Sequence, residues 1–182
     1  GAARGVAALE GCVAGLLELL GLPYTGNTPQ TLLLCLDKPK TKLLLKGAGI
    51  PVVPGVVVCD AERDSLEGLV YPVIVKPACE GSSVGITRCF KDADLAAAVE
   101  LAARYDGPLL VEQLIQGEEY TVGVLGTDAL PSIRIVPAGE YYDYHAKYVA
   151  EDTQYLCPGM TGAAEQELAG LTLPAFFAVG CS

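Results

Sequence analysis

The chain has 182 residues, 51% of them hydrophobic and 19% charged, which suits one well-buried domain or one domain plus part of another. Twelve basic residues against 22 acidic ones give a net charge of −10, a field that opposes docking on nucleic acid or on anionic membrane. It leaves room for a small anionic ligand such as ATP, which needs only a few well-placed cations.

The densest apolar run, Leu32 to Leu36, is far too short to span a bilayer, and no basic-then-apolar leader is present. The first residue is Gly rather than Met, which suggests a start that is not natural. Seven cysteines, at 12, 35, 59, 79, 89, 157 and 181, form no Cys-x-x-Cys and sit mostly among apolar or small residues. That pattern predicts buried, reduced thiols and a cytoplasmic protein, with Cys79 and Cys157 flanking candidate loops.

Along the chain, residues 6–20 carry apolar side chains at helical spacing and Gly21 closes the segment. Residues 22–27 read as a short strand and turn. A second helix starts near Thr28-Pro29, and Asp37 caps a third with Pro39 in its first turn, ending at Gly47-Ala48-Gly49. Residues 52–58 are extended and β-branched, and Asp60 to Gly68 reads as a surface connection or short helix. A strand over 71–76 leads through a Gly/Ser loop to a second at 86–89. Asp92 is expected to cap a helix over 93–104 with Leu95, Val99 and Ala102 on one face. Strands follow at 109–115, 119–125 and 132–136, the last two separated by a turn near Thr127-Asp128. Residues 137–160 are irregular, and a final helix from about 162 is expected to break at Pro174. The pattern is α+β, with mixed or antiparallel sheets and helices on a face.

The most informative stretch is YPVIVKPACEGSSVG, residues 71–85. A β-branched strand ends in Lys76 and opens into Gly81-Ser82-Ser83-Val84-Gly85. Glycines let a backbone approach a ligand, and successive amides and hydroxyls can wrap an anion beside a fixed lysine. The order is neither Gly-x-x-x-x-Gly-Lys-Ser/Thr nor Gly-x-Gly-x-x-Gly, so a plain strand and turn stays open. Lys38, Lys42, Lys76 and Lys147 each lie at an element end or in a loop, either as solvated charges or as parts of one anion site. Glu112 interrupts an apolar strand, facing water at a sheet edge or aimed at a ligand. Residues 140–148 pack four tyrosines, the single His145 and Lys147 into a loop able to fold over a site. One histidine makes a poor zinc site, and no metal-ligating residue is assigned within the chain.

Taken together, GLLELLGLPYTG, DKPKTKLLLKGAGIPVVP, YPVIVKPACEGSSVGIT, LLVEQLIQGEEYTVGVLG and LPSIRIVPAGEYYDYHAKYVAEDTQYLCP resemble, in this order, the D-alanine–D-alanine ligases of the ATP-grasp superfamily. The resemblance implies an ATP-grasp fold, incomplete in this chain, preceded by the tail of an α/β amino-terminal domain: residues 1–36 for that tail, 37–118 for a central subdomain and 119–182 for part of a carboxy-terminal one. It also implies site residues. Lys38 and Lys76 match phosphate-contacting lysines, and Glu80, Gly81, Ser82 and Ser83 match the loop closing over the β- and γ-phosphates. Glu112, with the backbone of Gln113 and Ile115, matches the adenine-contacting hinge, and Glu119 the carboxylate on the ribose. Lys147 and Tyr148 match the mobile loop over the γ-phosphate and substrates, so Ser82, Lys147 and Tyr148 are the implied catalytic residues.

By the same resemblance, ATP and D-alanine are substrates, magnesium or manganese is expected with its protein ligands beyond residue 182, and the intact protein is expected to be a homodimer. Tyr148 resembles the ligases that make the dipeptide, while His145 stands where many members carry a glutamate. Two alternatives stay open: another ATP-grasp carboxylate–amine ligase, and a non-catalytic nucleotide-binding remnant.

Overall fold

The structure, a computed structural model, describes residues 9–60 and 66–181. Expectations for residues 6–8 and 61–65 lie outside those described. Helix α1 (Leu9–Leu19) ends where Gly21 turns left-handed at φ +64°, letting the Leu22 amide reach back to the Leu17 carbonyl. Helix α2 (Pro29–Leu36) starts where the Thr28 hydroxyl accepts from the Thr31 amide, with Pro29 supplying a preset first φ. Helix α3 (Lys38–Gly47) starts on the Asp37 carboxylate, which accepts from the Lys40 amide at 3.1 Å. Gly11 is buried where α1 crosses α2; a Cβ there would sit 2.5 Å from Leu33, so only glycine permits this approach.

The first sheet is fully antiparallel, with order β1 (Gly55–Val58), β4 (Leu109–Gln113), β2 (Val73–Pro77), β3 (Thr87–Cys89). Alternation fixes its faces. Val73 and Val75 of β2, with Leu109 and Val111 of β4, turn toward Ala98 and Ala102 of helix α4 (Leu95–Ala102) and form the core with Val58 and Cys89. Ile74, Lys76, Leu110 and Glu112 occupy the opposite face.

The second sheet is β5 (Glu119–Thr121), β8 (Ile133–Val136), β9 (Gln154–Leu156), again antiparallel. A small hairpin, β6 (Val124–Leu125) with β7 (Asp128–Ala129), turns at Gly126, φ +61°. Helix α5 (Tyr144–Tyr148) lies in the 137–160 segment and α6 (Gly162–Ala178) follows. The Glu165 carboxylate ties α6 to the sheet by accepting from the Ser132 amide at 2.7 Å and its hydroxyl at 2.5 Å. Thr31 of α2 donates to the Gly180 carbonyl at 2.7 Å, joining both ends of the described chain.

Several expectations fail for identifiable reasons. Residues 22–27 form no strand, because no partner strand lies beside them. The expected strand 119–125 stops at Thr121 and resumes at Val124, since its second half pairs locally with β7 while the first pairs with β8. Strand β9 lies inside the segment read as irregular; its pairing with β8 is a tertiary fact that three exposed residues do not signal. Asp92–Asp94 is a single 3-10 turn, and Asp94 rather than Asp92 accepts the free amides, from Phe90 and Lys91. Helix α6 continues through Pro174, because Pro174 and Gly170, whose carbonyl loses its partner, are both exposed and water can satisfy it. Finally, Cys89 alone is buried. Cys12, Cys35, Cys59 and Cys157 are exposed and Cys79 and Cys181 half-buried, because apolar neighbours in sequence on α1 and α2 are themselves largely exposed. No disulfide joins any of the seven.

Candidate active site

Strand alternation and one diagonal step place Lys76 and Glu112 on the same face of adjacent strands: Glu112 stands opposite Ile74, two residues before Lys76. Gly55 lies opposite Glu112 on β1, and a Cβ there would fall 2.7 Å from the Glu112 side chain. The glycine thus leaves room for the carboxylate within the sheet. Glu112 is only 5% exposed and sits on a central strand, so it is not an edge carboxylate facing water. Its two oxygens are shared between two lysines: Lys42 of α3 on Oε1 and Lys76 on Oε2. Lys42 is also held by the Val53 carbonyl at 2.5 Å.

Lys38, one turn before Lys42, reaches into the same cleft of about 320 Å³. Its ammonium donates to the carbonyls of Pro77, at 3.2 Å, Ala78, at 3.3 Å, and Glu80. It therefore straps the root of the Gly/Ser loop to α3. The residues lining this cleft include three lysines and one carboxylate, Glu112. Burial, then the positive charges of Lys38 and Lys42, push Lys76 down to about 8 from its usual 10.5. Burial likewise lowers Lys38 and Lys42.

The Gly/Ser loop is strained. Ser82 and Ser83 both have left-handed backbones, φ 53° and 60°, which serine adopts at a cost unless its surroundings enforce it. The enforcing contacts come from the 142–148 segment, more than fifty residues away. Ser83 donates to the Tyr142 carbonyl at 3.1 Å and accepts from the Lys147 ammonium at 2.7 Å. The Ser82 and Tyr148 hydroxyls are 2.9 Å apart. Helix α5 carries Lys147 and Tyr148, and Asp143 caps it by accepting from the Ala146 amide at 2.8 Å. Gly85 ends the loop at φ +69°, where a Cβ would overlap Tyr105 and Pro77.

Two of the remaining expected residues lie on a second cavity of about 480 Å³, between the end of β4 and the second sheet. Ile115 and Glu119 line it, with Arg88, Tyr141 and Tyr142 on its walls. Gln113 ends β4 beside Glu112, and its amide is taken by the Pro54 carbonyl at 3.1 Å. Glu80 and Gly81 face a third cavity, of about 740 Å³, walled by apolar residues of α1 and α2 and closed by Ser82 and Tyr144. The structure thus gathers Lys38, Lys76 and Glu112 into one cluster and Ser82, Ser83, Lys147 and Tyr148 into another, joined by the 77–80 segment.

Sequence reasoning left Lys42 without a defined role and gave none to Arg88 or Tyr155. The i, i+4 spacing of Lys38 and Lys42 would have placed both on one face of α3. Arg88 is ion-paired with Glu140 at 2.5 Å and lies 4.3 Å from the Tyr141 ring centre, contacts no local signal announces. Tyr155 shares a hydroxyl–hydroxyl bond of 2.8 Å with Tyr142, which pushes the Tyr142 hydroxyl up to about 12.

The chain carrying this sheet face and seryl loop matches known proteins over nearly its whole length. The family described as D-ala D-ala ligase C-terminus matches residues 44–182. The chain belongs to the D-alanine–D-alanine ligase family. The D-alanine--D-alanine ligase B of Xanthomonas campestris pv. campestris is 52% identical over 178 residues, covering 95% of this chain and 56% of that protein. Among solved structures, the VanG D-Ala:D-Ser ligase from Enterococcus faecalis superposes with a TM-score of 0.81 at 32% identity, over 94% of this chain and 53% of that one. The D-alanine--D-alanine ligase from Bacillus anthracis complexed with ATP gives 0.78 at 25% identity, over 93% and 55%. The fold is therefore the α+β ATP-grasp fold of these ligases, and the chain spans about half the length of the relatives it matches.

Among the described residues, no three of His, Cys, Asp or Glu gather where they could hold a metal ion. Glu112, the buried carboxylate of the cleft, is already taken by two lysines, so these residues do not fit a protein-held magnesium. No helix among them is long and apolar enough to cross a membrane.

Proposed function

We propose that this chain is the nucleotide-binding part of an ATP-dependent D-alanine–D-alanine ligase, and that the intact protein joins two D-alanines in the cytoplasm into a dipeptide destined for the cell wall. The supporting observation is the convergence of Lys38, Lys76 and Glu112 beside a left-handed seryl loop gripped by Lys147 and Tyr148. In this reading Lys76 and Lys38 meet the phosphates, and Glu80, Gly81, Ser82 and Ser83 close over them. Glu112 with the backbone of Gln113 and Ile115 holds the adenine, and Glu119 the ribose. Residues 1–36, 37–118 and 119–182 then serve as the tail of the substrate domain and the two grasping subdomains. The intact ligase is a homodimer.

The chemistry answers a physical need. A free carboxylate does not acylate an amine, because oxide is too poor a leaving group. Transfer of the γ-phosphoryl to the carboxylate oxygen of one D-alanine gives an acyl phosphate and ADP. The amine of a second D-alanine attacks its carbonyl carbon, the C–O bond to phosphate breaks, and phosphate departs as the amine loses a proton. Phosphoryl transfer asks the protein mainly for alignment and charge neutralisation. Lysines at the phosphates, serine amides at the γ-phosphate and a lid carrying Lys147 and Tyr148 supply both.

The test is phosphate release from ATP and magnesium, with and without D-alanine, and with D-serine or D-lactate as the second substrate. D-alanine-dependent release by the chain supports the reading. Release with D-serine or D-lactate only assigns a different acceptor, and ATP binding without any release leaves the chain a nucleotide-binding piece.

A further inference from the structure

Glu112 presents one oxygen to each of two lysines, and the two lysines are not equivalent. Lys42 projects from α3 and is held a second time by the Val53 carbonyl at 2.5 Å, so both of its hydrogen-bond partners among the described residues lie outside the Gly/Ser loop. Lys76 projects from β2 one residue before the segment that leads into that loop, with Glu112 as its ion-pair partner. Lys38, the third ammonium, is directed onto three backbone carbonyls. A buried carboxylate that loses its last cationic partner either takes up a proton or pulls a cation back.

We propose that Lys42 is the fixed counter-ion of Glu112, a positioning residue that lets Lys76 exchange the carboxylate for the nucleotide phosphates. The inference rests on the nucleotide-binding reading above and deepens it. With triphosphate near the Gly/Ser loop, Lys76 transfers its ion pair from Glu112 Oε2 to phosphate oxygen. Lys42 stays on Oε1, so Glu112 remains ionised and its Oε2 is vacated. A vacated anionic oxygen at that place accepts a hydrogen bond from an exocyclic amine and repels a carbonyl. The pair therefore selects a 6-amino purine over a 6-oxo purine, and the selection depends on the charge of a residue that touches neither base nor phosphate. Without Lys42, Lys76 is drawn back to Glu112, and both the phosphate contact and the base preference weaken.

The experiment is equilibrium titration of the 182-residue chain with ATP and, separately, with inosine triphosphate, for the unsubstituted protein, Lys42→Met and Lys42→Arg. The unsubstituted chain is expected to prefer ATP by about tenfold or more, the value of one charge-assisted hydrogen bond. In Lys42→Met, ATP affinity falls about tenfold and the preference shrinks to within about threefold. Lys42→Arg, which keeps the charge, retains most of both. Should Lys42→Met melt before titration, Lys42→Gln carries the same test, since it keeps a donor for Val53 without the charge.

If the neutral variant keeps the full ATP preference, or Lys42→Arg loses it as completely as the neutral one, the counter-ion role is overturned while nucleotide binding stands. If the unsubstituted chain binds neither triphosphate, the nucleotide reading fails and this inference with it. A purely structural role for Lys42 would lower the affinities for both nucleotides together and leave their ratio unchanged, which also overturns the proposal.

Discussion

The Lys147 ammonium lies 2.7 Å from the Ser83 hydroxyl, closing a contact across 64 residues between the lid-like segment and the Gly/Ser loop. The same hydroxyl donates to the Tyr142 carbonyl at 3.1 Å, so one serine holds both the start and the helix of that segment. Ser83→Ala removes both bonds, and with them contacts that hold the left-handed backbone at this position. We expect amide hydrogen exchange over residues 142–148 to speed up by about tenfold, the equivalent of one charge-assisted hydrogen bond. Unchanged exchange there would show that Ser83 does not hold the segment.

Gly85 and Gly81 bracket the same loop but differ in what they require. Gly85 is left-handed at φ +69°, and a Cβ would lie 2.6 Å from the Tyr105 ring and 2.8 Å from Pro77. Gly85→Ala should therefore destabilise the chain by about 2–4 kcal/mol, strain and overpacking together. Gly81 has ordinary φ and open space around it, so Gly81→Ala should stay within about 0.5 kcal/mol. Urea denaturation of both variants measures the contrast.

Lys76 gives a pH dependence with a definite sign. Its folded pKa is lowered to about 8 against 10.5, so between those values the unfolded chain binds more protons than the folded one. Stability therefore rises with pH across that window as the buried ammonium is relieved of its charge. Nucleotide affinity should run the other way, falling as pH passes through about 8, because the neutral amine no longer attracts phosphate. Denaturation and ATP titration at about pH 7, 8 and 9, repeated on Lys76→Met, check both slopes; the variant should flatten them.

Much of this was legible in the sequence, and the limits are physical. The helix start near Thr28-Pro29, the Asp37 cap and the β-branched strand through Val73-Ile74-Val75 depend on residues within a few positions, and each appeared where the sequence put it. The strap of Lys38 on the 77–80 carbonyls, the grip of Lys147 on Ser83 and the pairing of β9 with β8 join residues 18 to 64 apart. No local periodicity encodes such contacts. Glu112 shows the boundary best: a carboxylate interrupting an apolar strand marked it as unusual, but only the strand order showed it buried between two lysines.

Glu165 anchors α6 through Ser132, and those two hydrogen bonds hold its carboxyl below the usual range. A lowered folded pKa means that this contribution is present above the unfolded value, near 4.5, and is lost as pH falls through the folded one. Acid denaturation of Glu165→Gln, compared with the unsubstituted chain, should show a smaller loss of stability below pH 4.5; an identical acid profile would mean that the Ser132 contact does not matter in solution.

The central claim is that this chain binds ATP through the Lys76 cluster, and equilibrium titration with ATP in the presence of magnesium tests it most directly. The account predicts saturable binding of one ATP per chain, weakened by about tenfold or more in Lys76→Met. Absence of binding, or equal binding by the Lys76→Met chain, would contradict it.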